Sequence, residues 1–471
     1  MENLSERYSE NVSAFRRALR VEENFDVIER RLLIGPDEMT LFYIDGFVKD
    51  GVMQRMMQYF LGLSGLCGDA DDPCRRFADA HVPYVEVDCS RDAAHLRMMV
   101  LSGAVVMLGS TFGAEGIVID ARTYPARETQ EPENDRVMQG ARDGFVETLV
   151  FNTALIRRRI RDPALTMQYL TVGGPSKTDV VVCYMQGRAD DGYVAEVTKR
   201  LRDLAPTHIA MGTESLAESL IRRRWYNPFP KILTLERPDA AAAELLEGRV
   251  LVLCDTTPQV MVLPTSIFDF MQESDDFCFP PLTGCYLRLV RHAVFWLSLV
   301  ITPLWFLAIR HPEALPPALL FLLPVKEAEI PILLQLFLTE LAIDGLKLAS
   351  MNTPDMLAGS LSVIGGLILG DFAVQVGWLT PEVILYMSFA AIANFTQQNH
   401  ELGYAFKFMR MLLLGLVALF DIWGFVAGLV LFFILLATNK TVNGRRSYLY
   451  PLIPWNGRAF ARLFFRMKKE S

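Results

Sequence analysis

Long apolar runs dominate the second half of the chain, whereas the first 286 residues alternate short apolar runs with charged segments. The runs AVFWLSLVITPLWFLAI, LAGSLSVIGGLILG, VILYMSFAAIAN and MLLLGLVALF all lie between residues 287 and 439. A membrane-spanning helix needs about 20 mainly apolar residues. The pattern predicts an all-α transmembrane domain over residues 287–439, with spans at Leu287–Ile309, Met356–Trp378, Val383–Gln398 and Phe408–Thr438.

One apolar segment in this half carries charges at helical spacing. In ILLQLFLTELAIDGLKLAS, the residues Glu340, Asp344 and Lys347 follow one another at intervals of four and three. A helix would place all three on one face. We interpret the segment as an amphipathic helix that lies at the interface or lines an aqueous path enclosed by protein, and a fifth span is the alternative.

The first 286 residues predict a soluble α/β region of two subdomains. Short β-type runs such as GAVVMLG and DVVVCYM alternate with helical segments, as expected where helices pack on sheets. The predicted parts are an N-terminal amphipathic helix (1–32, with helical spacing over 12–31), a first α/β subdomain (33–130), a second α/β subdomain with a leading helix (131–265) and a linker (266–286). The transmembrane domain and a basic tail (440–471) follow.

The net charge of −8 is distributed unevenly, with −12 on residues 1–286, −3 on 287–439 and +7 on 440–471. The acidic soluble region argues against a nucleic-acid partner, because phosphate binding needs clustered Lys and Arg. Arg288 and Arg291 precede the first span, and the basic tail follows the last. The positive-inside rule then predicts that both termini are cytoplasmic and that the number of spans is even. Lys407 and Arg410, on the outer side of a four-span arrangement, count against it.

The basic tail also has helical periodicity. Arg458, Arg462 and Arg466 are spaced by four, and Phe460, Leu463, Phe464 and Met467 occupy the neighbouring face. This pattern is typical of an amphipathic helix on the inner leaflet. A cytoplasmic helix that packs on its own protein is the alternative.

The sequence contains no pattern that indicates catalysis or a bound cofactor. The segment GSTFGAEG lacks the Gly-Lys-Ser/Thr ending of a phosphate-binding loop, and neither GxSxG nor HExxH occurs. The seven cysteines form no CxxC pair, which favours free thiols in a reducing cytosol over a zinc site. We therefore expect neither an enzyme nor a protein that holds a cofactor or a metal ion.

Carboxylates within the apolar segments are the candidate functional groups, because an ionised carboxylate at membrane depth is costly unless it faces protein or water. Glu340, Asp344 and Lys347 are interpreted either as lining an ion path or, for Asp344 and Lys347, as neutralising each other. Asp371 lies near three glycines that allow close helix packing. It is interpreted either as a pore residue or as a buried hydrogen-bond partner.

A basic run, RRRIR, lies in the second predicted subdomain and comprises Arg157, Arg158, Arg159 and Arg161. Such a run can neutralise phosphates or anionic lipid. The alternative is a solvated or salt-bridged helix face that pairs with the acidic segment EPEND (131–135).

Two blocks of the soluble region resemble the GerA-type spore germination proteins, specifically their A-subunit family. The blocks are EPENDRVMQGARDGFVETLVFNTALIRRRIRD (131–162) and NPFPKILTLERPDAAAAELLEGRVLVLCDTTP (227–258). The motif residues for which the resemblance implies structural or subunit-contact roles are Arg157, Arg158, Arg159, Arg161, Asn227, Pro228, Phe229, Pro230, Glu236, Arg237, Pro238 and Asp239. VGGPSKTDV, TPEVILY and PLIPWN are more similar to the stage V sporulation protein AF branch of this family than to the A subunits of nutrient receptors.

The resemblance implies a location, an assembly and an activity. Such proteins lie in the inner membrane of the bacterial spore, and a ring oligomer of this family, expected to be a pentamer, would release monovalent cations early in germination and amplify the receptor response. The implied partners are further copies of this chain, a small membrane protein or other germination-receptor subunits, and the lipid bilayer. A nutrient-receptor A subunit and a non-conducting scaffold that clusters receptors are the alternatives. In a ring, Glu340, Asp344 or Asp371 would surround the axis, where acidic rings select cations.

Overall fold

The chain divides into two structural units, each of which is described by itself. The computed structural model describes residues 3–465 apart from 69, 125–140, 205–211, 222–224, 273–278, 326–328, 354–358, 360–362, 364, 398, 440 and 443–447. The sheet unit comprises Met1–Arg222 and Ile232–Thr265, and the helical unit comprises Arg223–Lys231 and Ser266–Ser471. A short loop of the predicted soluble region therefore belongs to the helical unit.

Two five-stranded sheets form the sheet unit, and every strand pair within them is antiparallel. The first sheet has the order β1-β2-β4-β5-β3, with β1 (Val27–Ile34), β2 (Asp37–Ile44), β3 (Val87–Ser90), β4 (Val105–Gly109) and β5 (Gly116–Ile119). The second has the order β6-β7-β9-β10-β8, with β6 (Leu165–Val172), β7 (Thr178–Met185), β8 (Leu233–Leu235), β9 (Val250–Cys254) and β10 (Val260–Leu263). The predicted fold class, two α/β subdomains before a helical domain, is confirmed.

Eight helices accompany these strands in the described part of the sheet unit. They are α1 (Tyr8–Leu19), α2 (Asp50–Leu61), α3 (Pro73–His81), α4 (Ala93–Leu101), α5 (Leu149–Arg159), α6 (Asp191–Asp203), α7 (Thr213–Leu220) and α8 (Pro238–Leu246). None of the six described cysteines forms a disulfide, and burial raises the pKa of Cys254 to about 11. A buried thiol with a raised pKa is a weak nucleophile at neutral pH.

The two halves of the sheet unit repeat one another. Each half runs through a hairpin, two helices, an edge strand, one helix and a second hairpin, and each sheet has the same strand order. The first hairpin of each half is followed by Tyr-x-x-Gly-x-x-x-Asp-Gly, beginning at Tyr43 and at Tyr184. Gly46 and Gly187 in these turns both have positive φ, 81° and 78°, which glycine adopts without strain. We infer that the sheet unit arose by internal duplication.

The predicted N-terminal helix over 12–31 is wrong in its second half. The helix α1 ends at Leu19, Arg20 takes a left-handed conformation with φ 54°, and β1 begins at Val27. Leu32 and Ile34 alternate with exposed residues along β1, which is the period of a strand with one buried face. Pairing of β1 with β2 along its whole length therefore outweighs the helical spacing that predicted a helix to residue 31.

A buried ion pair joins the two repeats of the sheet unit. Arg157 on α5 has no exposed side-chain surface, and its guanidinium donates from Nε to Asp26 Oδ2 at 2.7 Å and from Nη2 to Asp26 Oδ1 at 3.0 Å. Its third nitrogen, Nη1, donates to the carbonyl of Leu165 at the start of β6 at 3.2 Å. Asp26 directly precedes β1, so the pair links the first sheet to the second.

The other members of the basic run also have partners within the unit. Arg159 Nη2 lies 2.6 Å from Asp143 Oδ2, and the guanidinium of Arg158 lies 4.4 Å from the centre of the Tyr124 ring. Arg161 Nη1 lies 3.5 Å from Ser102 Oγ. These contacts agree with the interpretation of RRRIR as an internally paired helix segment, and the predicted partner EPEND lies outside the described residues.

We expect Asp26→Asn and Arg157→Met to destabilise the full-length protein by about 3–5 kcal/mol each, because either change leaves one buried charge without its counterion. Thermal unfolding of the purified protein, followed by circular dichroism, measures the effect. Arg7→Ala is the control, since its pair with Glu10 is exposed and such pairs contribute little to stability. Equal losses in the three variants would contradict a joining role for Asp26 and Arg157.

Long apolar helices build the helical unit. They are α9 (Pro281–Arg310), α10 (Ile332–Met351), α11 (Pro381–Phe395) and α12 (His400–Thr438), followed by a short α13 (Gly457–Phe464). Short turns lie at Asp269–Met271, Pro312–Ala314 and Pro317–Leu322, and a π-helical segment at Ile368–Phe372 continues into Ala373–Gln375. Among the described helices, α9 and α12 are long and apolar enough to cross a membrane, and α11 is a shorter apolar helix.

The helix α12 is a hairpin of two arms and not one straight helix. Asp421 has φ 51° and ψ −131°, a conformation outside the helical region that reverses the chain. Gly424 lies so close to the first arm that a Cβ there would be 2.0 Å from the Leu416 carbonyl oxygen. The predicted single span Phe408–Thr438 is therefore corrected to two arms, 400–420 and 422–438.

Successive helical arms along the chain alternate in direction. Phe295 of α9 lies 3.9 Å from Phe406 near the start of α12, and Arg310 at the end of α9 reaches Asp421, so α9 and the first arm are parallel. In α10, Leu336 packs in the cluster of Trp305, whereas the later Asp344 reaches Lys407, so α10 runs in the opposite direction.

For residues 332–350, the structure favours the alternative of a helix enclosed by protein over that of an interfacial helix. The helix α10 packs among α9, α11 and α12, with Gln335, Leu336, Thr339 and Glu340 buried. Together with α9, the π-helical segment, α11 and the two arms of α12, it gives six helical arms in the described part of the unit.

Candidate functional site: the charged groups of the helical unit

A buried ion pair connects α10 to the first arm of α12. Arg410 Nη2 lies 2.8 Å from both carboxylate oxygens of Glu340, and the two residues are 1% and 5% exposed. Arg410 Nη1 also points to the carbonyl of Ser298 on α9, at 3.4 Å. Three helices therefore meet at one guanidinium. Arg is suited to this position because its planar fork donates several hydrogen bonds at once.

A second ion pair lies one helical turn away. Lys407 Nζ contacts the carboxylate of Asp344 and lies 3.5 Å from Glu340 Oε1. Lys347 instead lies over the ring of Tyr404, at 4.8 Å from the ring centre. Of the alternatives from the sequence, mutual neutralisation of Asp344 and Lys347 is therefore wrong, because a lysine on another helix is the partner of Asp344.

The three charges predicted on one face of α10 do share one surface. Glu340, Asp344 and Lys347 all line a cavity between α10, α11 and α12, together with Lys407 and Arg410. The cavity volume is about 30 Å³, enough for a water-sized species. Asn394 Oδ1 at the same cavity accepts no hydrogen bond from a described residue. The site is thus polar, small and formed by charges of both signs.

Charge compensation limits what this cavity can bind. Both carboxylates are engaged by cationic side chains, so neither is free to replace the hydration shell of a metal cation. A cation could bind Glu340 or Asp344 only after an existing ion pair separates, which costs more in a low-dielectric interior than in water. The cluster therefore holds the helices together in this structure, and an ion path along it stays a prediction.

Asp371 has different surroundings. It lies in the π-helical segment Ile368–Phe372, is exposed on the isolated chain, and forms no ion pair with any described residue. The neighbouring side chains Val363, Ile368 and Phe372 are also more than half exposed. The interpretation of Asp371 as a buried hydrogen-bond partner within this chain is wrong for the described residues. A π-helical turn is rare and often marks a functional position.

The turn of the α12 hairpin contains a further ion pair. Arg310 Nε lies 3.0 Å from Asp421 Oδ1, and Arg310 Nη1 donates to the carbonyls of Val417 and Ala418 at 3.0 and 2.8 Å. The guanidinium thus satisfies carbonyls at the end of the first arm, which have no partner within a helix. This arrangement assigns Asp421 to a helix–helix contact.

The roles of Lys407, Arg410 and Arg310 were not predicted from the sequence. Lys407 and Arg410 counted against the four-span topology, and no partner was predicted for Arg310. A signal for these pairings was present in the sequence. Buried cations in apolar helices require counterions, and the chain offers few candidate counterions there. Within the described residues, no group of three or more His, Cys, Asp and Glu side chains could hold a metal ion.

The family motif near residue 230 is divided between the two units. In the helical unit, Asn227 Nδ2 donates to the carbonyl of Leu435 at 3.1 Å, while Asn227 Oδ1 accepts from the Phe229 backbone at 3.1 Å. The buried Phe229 ring lies 5.5 Å from Phe432 and 6.3 Å from Phe406, with edge-to-face geometry. The prolines Pro228 and Pro230 flank this ring and restrict the backbone on both sides.

The rest of the motif stabilises the second sheet. Arg237 Nη2 lies 2.6 Å from Asp239 Oδ2, and Arg237 is 1% exposed. Pro238 occupies the first turn of α8, where its missing N–H costs no hydrogen bond. Glu236 accepts from Gln259 Nε2 at 3.0 Å. These contacts are structural ones within the sheet unit.

Comparison with known proteins establishes the family. The model of the Bacillus/Clostridium GerA spore germination protein family matches residues 15–471, so the chain belongs to that family. It is 36% identical to stage V sporulation protein AF of Bacillus subtilis over 98% of this chain and 92% of that protein. It is 25% identical to spore germination protein KA of the same organism, over 94% of this chain and 81% of that protein.

A solved structure also aligns with part of the chain. The N-terminal domain of the A subunit of the Bacillus megaterium spore germinant receptor GerK3 covers 55% of this chain and 95% of its own, with 23% identity and a TM-score of 0.39.

We expect a strong coupling between Glu340 and Arg410. Glu340→Gln and Arg410→Gln should each destabilise the full-length protein in detergent by about 3–5 kcal/mol, because each leaves a buried charge uncompensated. The double variant should lose clearly less than the sum of the two. Thermal unfolding of all four proteins measures the coupling. The same double-mutant cycle on Arg310 and Asp421 is the control. Both side chains are more than a third exposed, so their coupling should be smaller. Additive losses at Glu340 and Arg410 would contradict a buried ion pair between them.

Phe229→Ala should destabilise the helical unit by about 3–5 kcal/mol, the usual loss for a buried aromatic ring. We also expect faster proteolysis within 225–231, since the loop loses its contact with α12. Limited proteolysis of the full-length protein, with mass spectrometry of the fragments, measures this change. Phe151→Ala is the control because that ring is half exposed on α5. Unchanged cleavage in 225–231 would show that other contacts hold the loop.

Proposed function

We propose that the chain is an integral membrane subunit of a spore germination complex and that several copies form a cation channel in the inner membrane of the spore. Family membership supports a role in germination. The apolar arms of the helical unit support a membrane location. The proposed conducting activity rests on the exposed position of Asp371.

Membrane placement of the six arms agrees with the charge distribution. Because successive arms alternate in direction, an even number puts Arg288 and the basic tail on one side, which the positive-inside rule makes cytoplasmic. Lys407 and Arg410 then lie in the first arm of α12, which starts from that same side. The two cations that opposed a four-span topology support a six-span one.

The single observation that carries the proposal is the exposed carboxylate of Asp371. An ionised carboxylate that faces lipid is costly, so in the membrane Asp371 must face protein or water. On the isolated chain Asp371 is exposed, and it forms no ion pair with a described residue. We propose that neighbouring copies in a ring enclose it, so that one Asp371 from each subunit lines a water-filled axis and selects monovalent cations.

Full-length protein in liposomes tests the channel directly. We expect a K⁺ or Na⁺ flux, and we expect Asp371→Asn to lower the cation-to-anion permeability ratio severalfold because it removes the acidic ring. Asp421→Asn is the matched control, since that carboxylate pairs with Arg310 inside the subunit and should leave the ratio unchanged. A conducting Asp371→Asn channel with an unaltered permeability ratio would exclude Asp371 from the pore.

A non-conducting scaffold that clusters receptors is the second candidate. It is favoured by the internal pairing of Glu340, Asp344 and Asp421, because carboxylates that are paired with cations of the same chain are not available to a permeating ion. A small membrane partner or other receptor subunits would then provide the signal or the pore. Absence of flux from a confirmed oligomer, alone and with such a partner, would favour the scaffold, and so would normal germination with Asp371→Asn.

A further inference from the structure

Exposed aromatic side chains cluster beside basic residues in two segments of the helical unit. Trp225 and Tyr226, directly before the Asn-Pro-Phe-Pro motif, are 96% and 50% exposed. Trp455 and Phe465, on either side of α13, are 65% and 62% exposed. Large aromatic rings are costly to leave in water, so these surfaces require a partner or a different solvent.

Both segments lie at the same end of the unit. The first is fixed by the hydrogen bond from Asn227 to Leu435, in the last turns of α12. The second is fixed against the first half of α9, where Arg288 Nη1 donates to the Arg462 carbonyl at 2.9 Å and His292 lies 5.1 Å from the Phe464 ring. The end of α12 and the beginning of α9 are neighbours, since Trp296 lies 5.9 Å from Phe432.

In the sequence, both segments adjoin basic residues. The sequence before Trp225 is Arg-Arg-Arg, and residues 440–471 carry a net charge of +7. Tryptophan and tyrosine rings beside Lys and Arg are the composition found where a protein meets the headgroups of a membrane, with the cations attracted to anionic lipid. The short helix α13 has arginines on one face and phenylalanines on the other, as interfacial helices do.

The apolar surface of the arms continues towards these aromatic residues, which favours lipid over a protein partner. Leu289 on α9 and Phe433 on the second arm of α12 are both exposed by more than half. They lie within a few turns of the two segments along their helices. A surface that is apolar along the arms and aromatic and basic at their end matches a bilayer, whose hydrocarbon core gives way to anionic headgroups.

We propose that Trp225, Tyr226, Trp455 and Phe465 form an interfacial anchor that binds anionic phospholipid headgroups of the cytoplasmic leaflet. The aromatic rings lie at the level of the headgroups, and the neighbouring arginines, among them Arg458 and Arg462, attract the lipid phosphates. The proposal rests on the membrane placement of the helical unit and does not depend on ion conduction.

Brominated lipids test the anchor, because bromine quenches only those tryptophans that it contacts. Full-length protein is reconstituted in phosphatidylcholine vesicles in which brominated phosphatidylglycerol or brominated phosphatidylcholine replaces part of the lipid. We expect brominated phosphatidylglycerol to quench the tryptophan fluorescence more strongly than brominated phosphatidylcholine does. Trp225→Phe and Trp455→Phe should remove this difference in quenching. Trp423→Phe is the matched control, since Trp423 is exposed at the opposite end, next to the α12 turn, and should not report the preference.

The charge requirement is tested separately with Arg458→Gln and Arg462→Gln. Each change should lower the relative affinity for phosphatidylglycerol by about fivefold, the contribution of one cation near an anionic surface, and the effect should weaken at high salt. Circular dichroism of each variant checks that its fold is retained. Equal quenching by both lipids, or a preference that survives both arginine changes, would overturn the proposal. The proposal would also be overturned if no lipid quenched Trp455 and Trp455 crosslinked to a second copy of the chain. This surface would then be a subunit interface.

Discussion

The compensation of buried charge determines how the helical unit packs. Arg410 and Glu340 are almost fully buried, so each requires the other within hydrogen-bond distance. Their contact sets the register between α10 and the first arm of α12, and the bond to Ser298 adds α9 to the same point. Asp344 and Lys407 repeat the constraint one turn away. Asp371, by contrast, is exposed on the isolated chain and forms no ion pair with a described residue.

Local structure was largely predictable because local periodicity reports it. Short apolar runs such as GAVVMLG and DVVVCYM located β4 and β7. The N-terminal helix was overextended because its helical spacing continues to residue 31, where the chain already has the period of a strand. Only pairing with β2, a tertiary interaction, decides between the two.

The helical unit was harder to predict because its decisive features are not periodic. The run from Phe408 to Thr438 is apolar throughout, and a single residue, Asp421, reverses it. Nothing in the composition of that run distinguishes one long helix from a tight hairpin, although Gly424 and Gly428 allow the two arms to approach. The pairing of Glu340 with Arg410 joins residues 70 positions apart, which spacing along one helix cannot reveal.

The loop 225–231 has a consequence for how the molecule assembles. It is synthesised with the second sheet, yet Asn227 bonds to Leu435, 208 residues later in the chain. The ribosome therefore completes the sheet unit, including β8 to β10, while the binding site of this loop does not yet exist. Closure of so long a segment must follow the formation and pairing of the α12 arms. Docking of Phe229 between Phe406 and Phe432 is thus a late event of biogenesis, and it occurs only in a subunit whose last hairpin has formed.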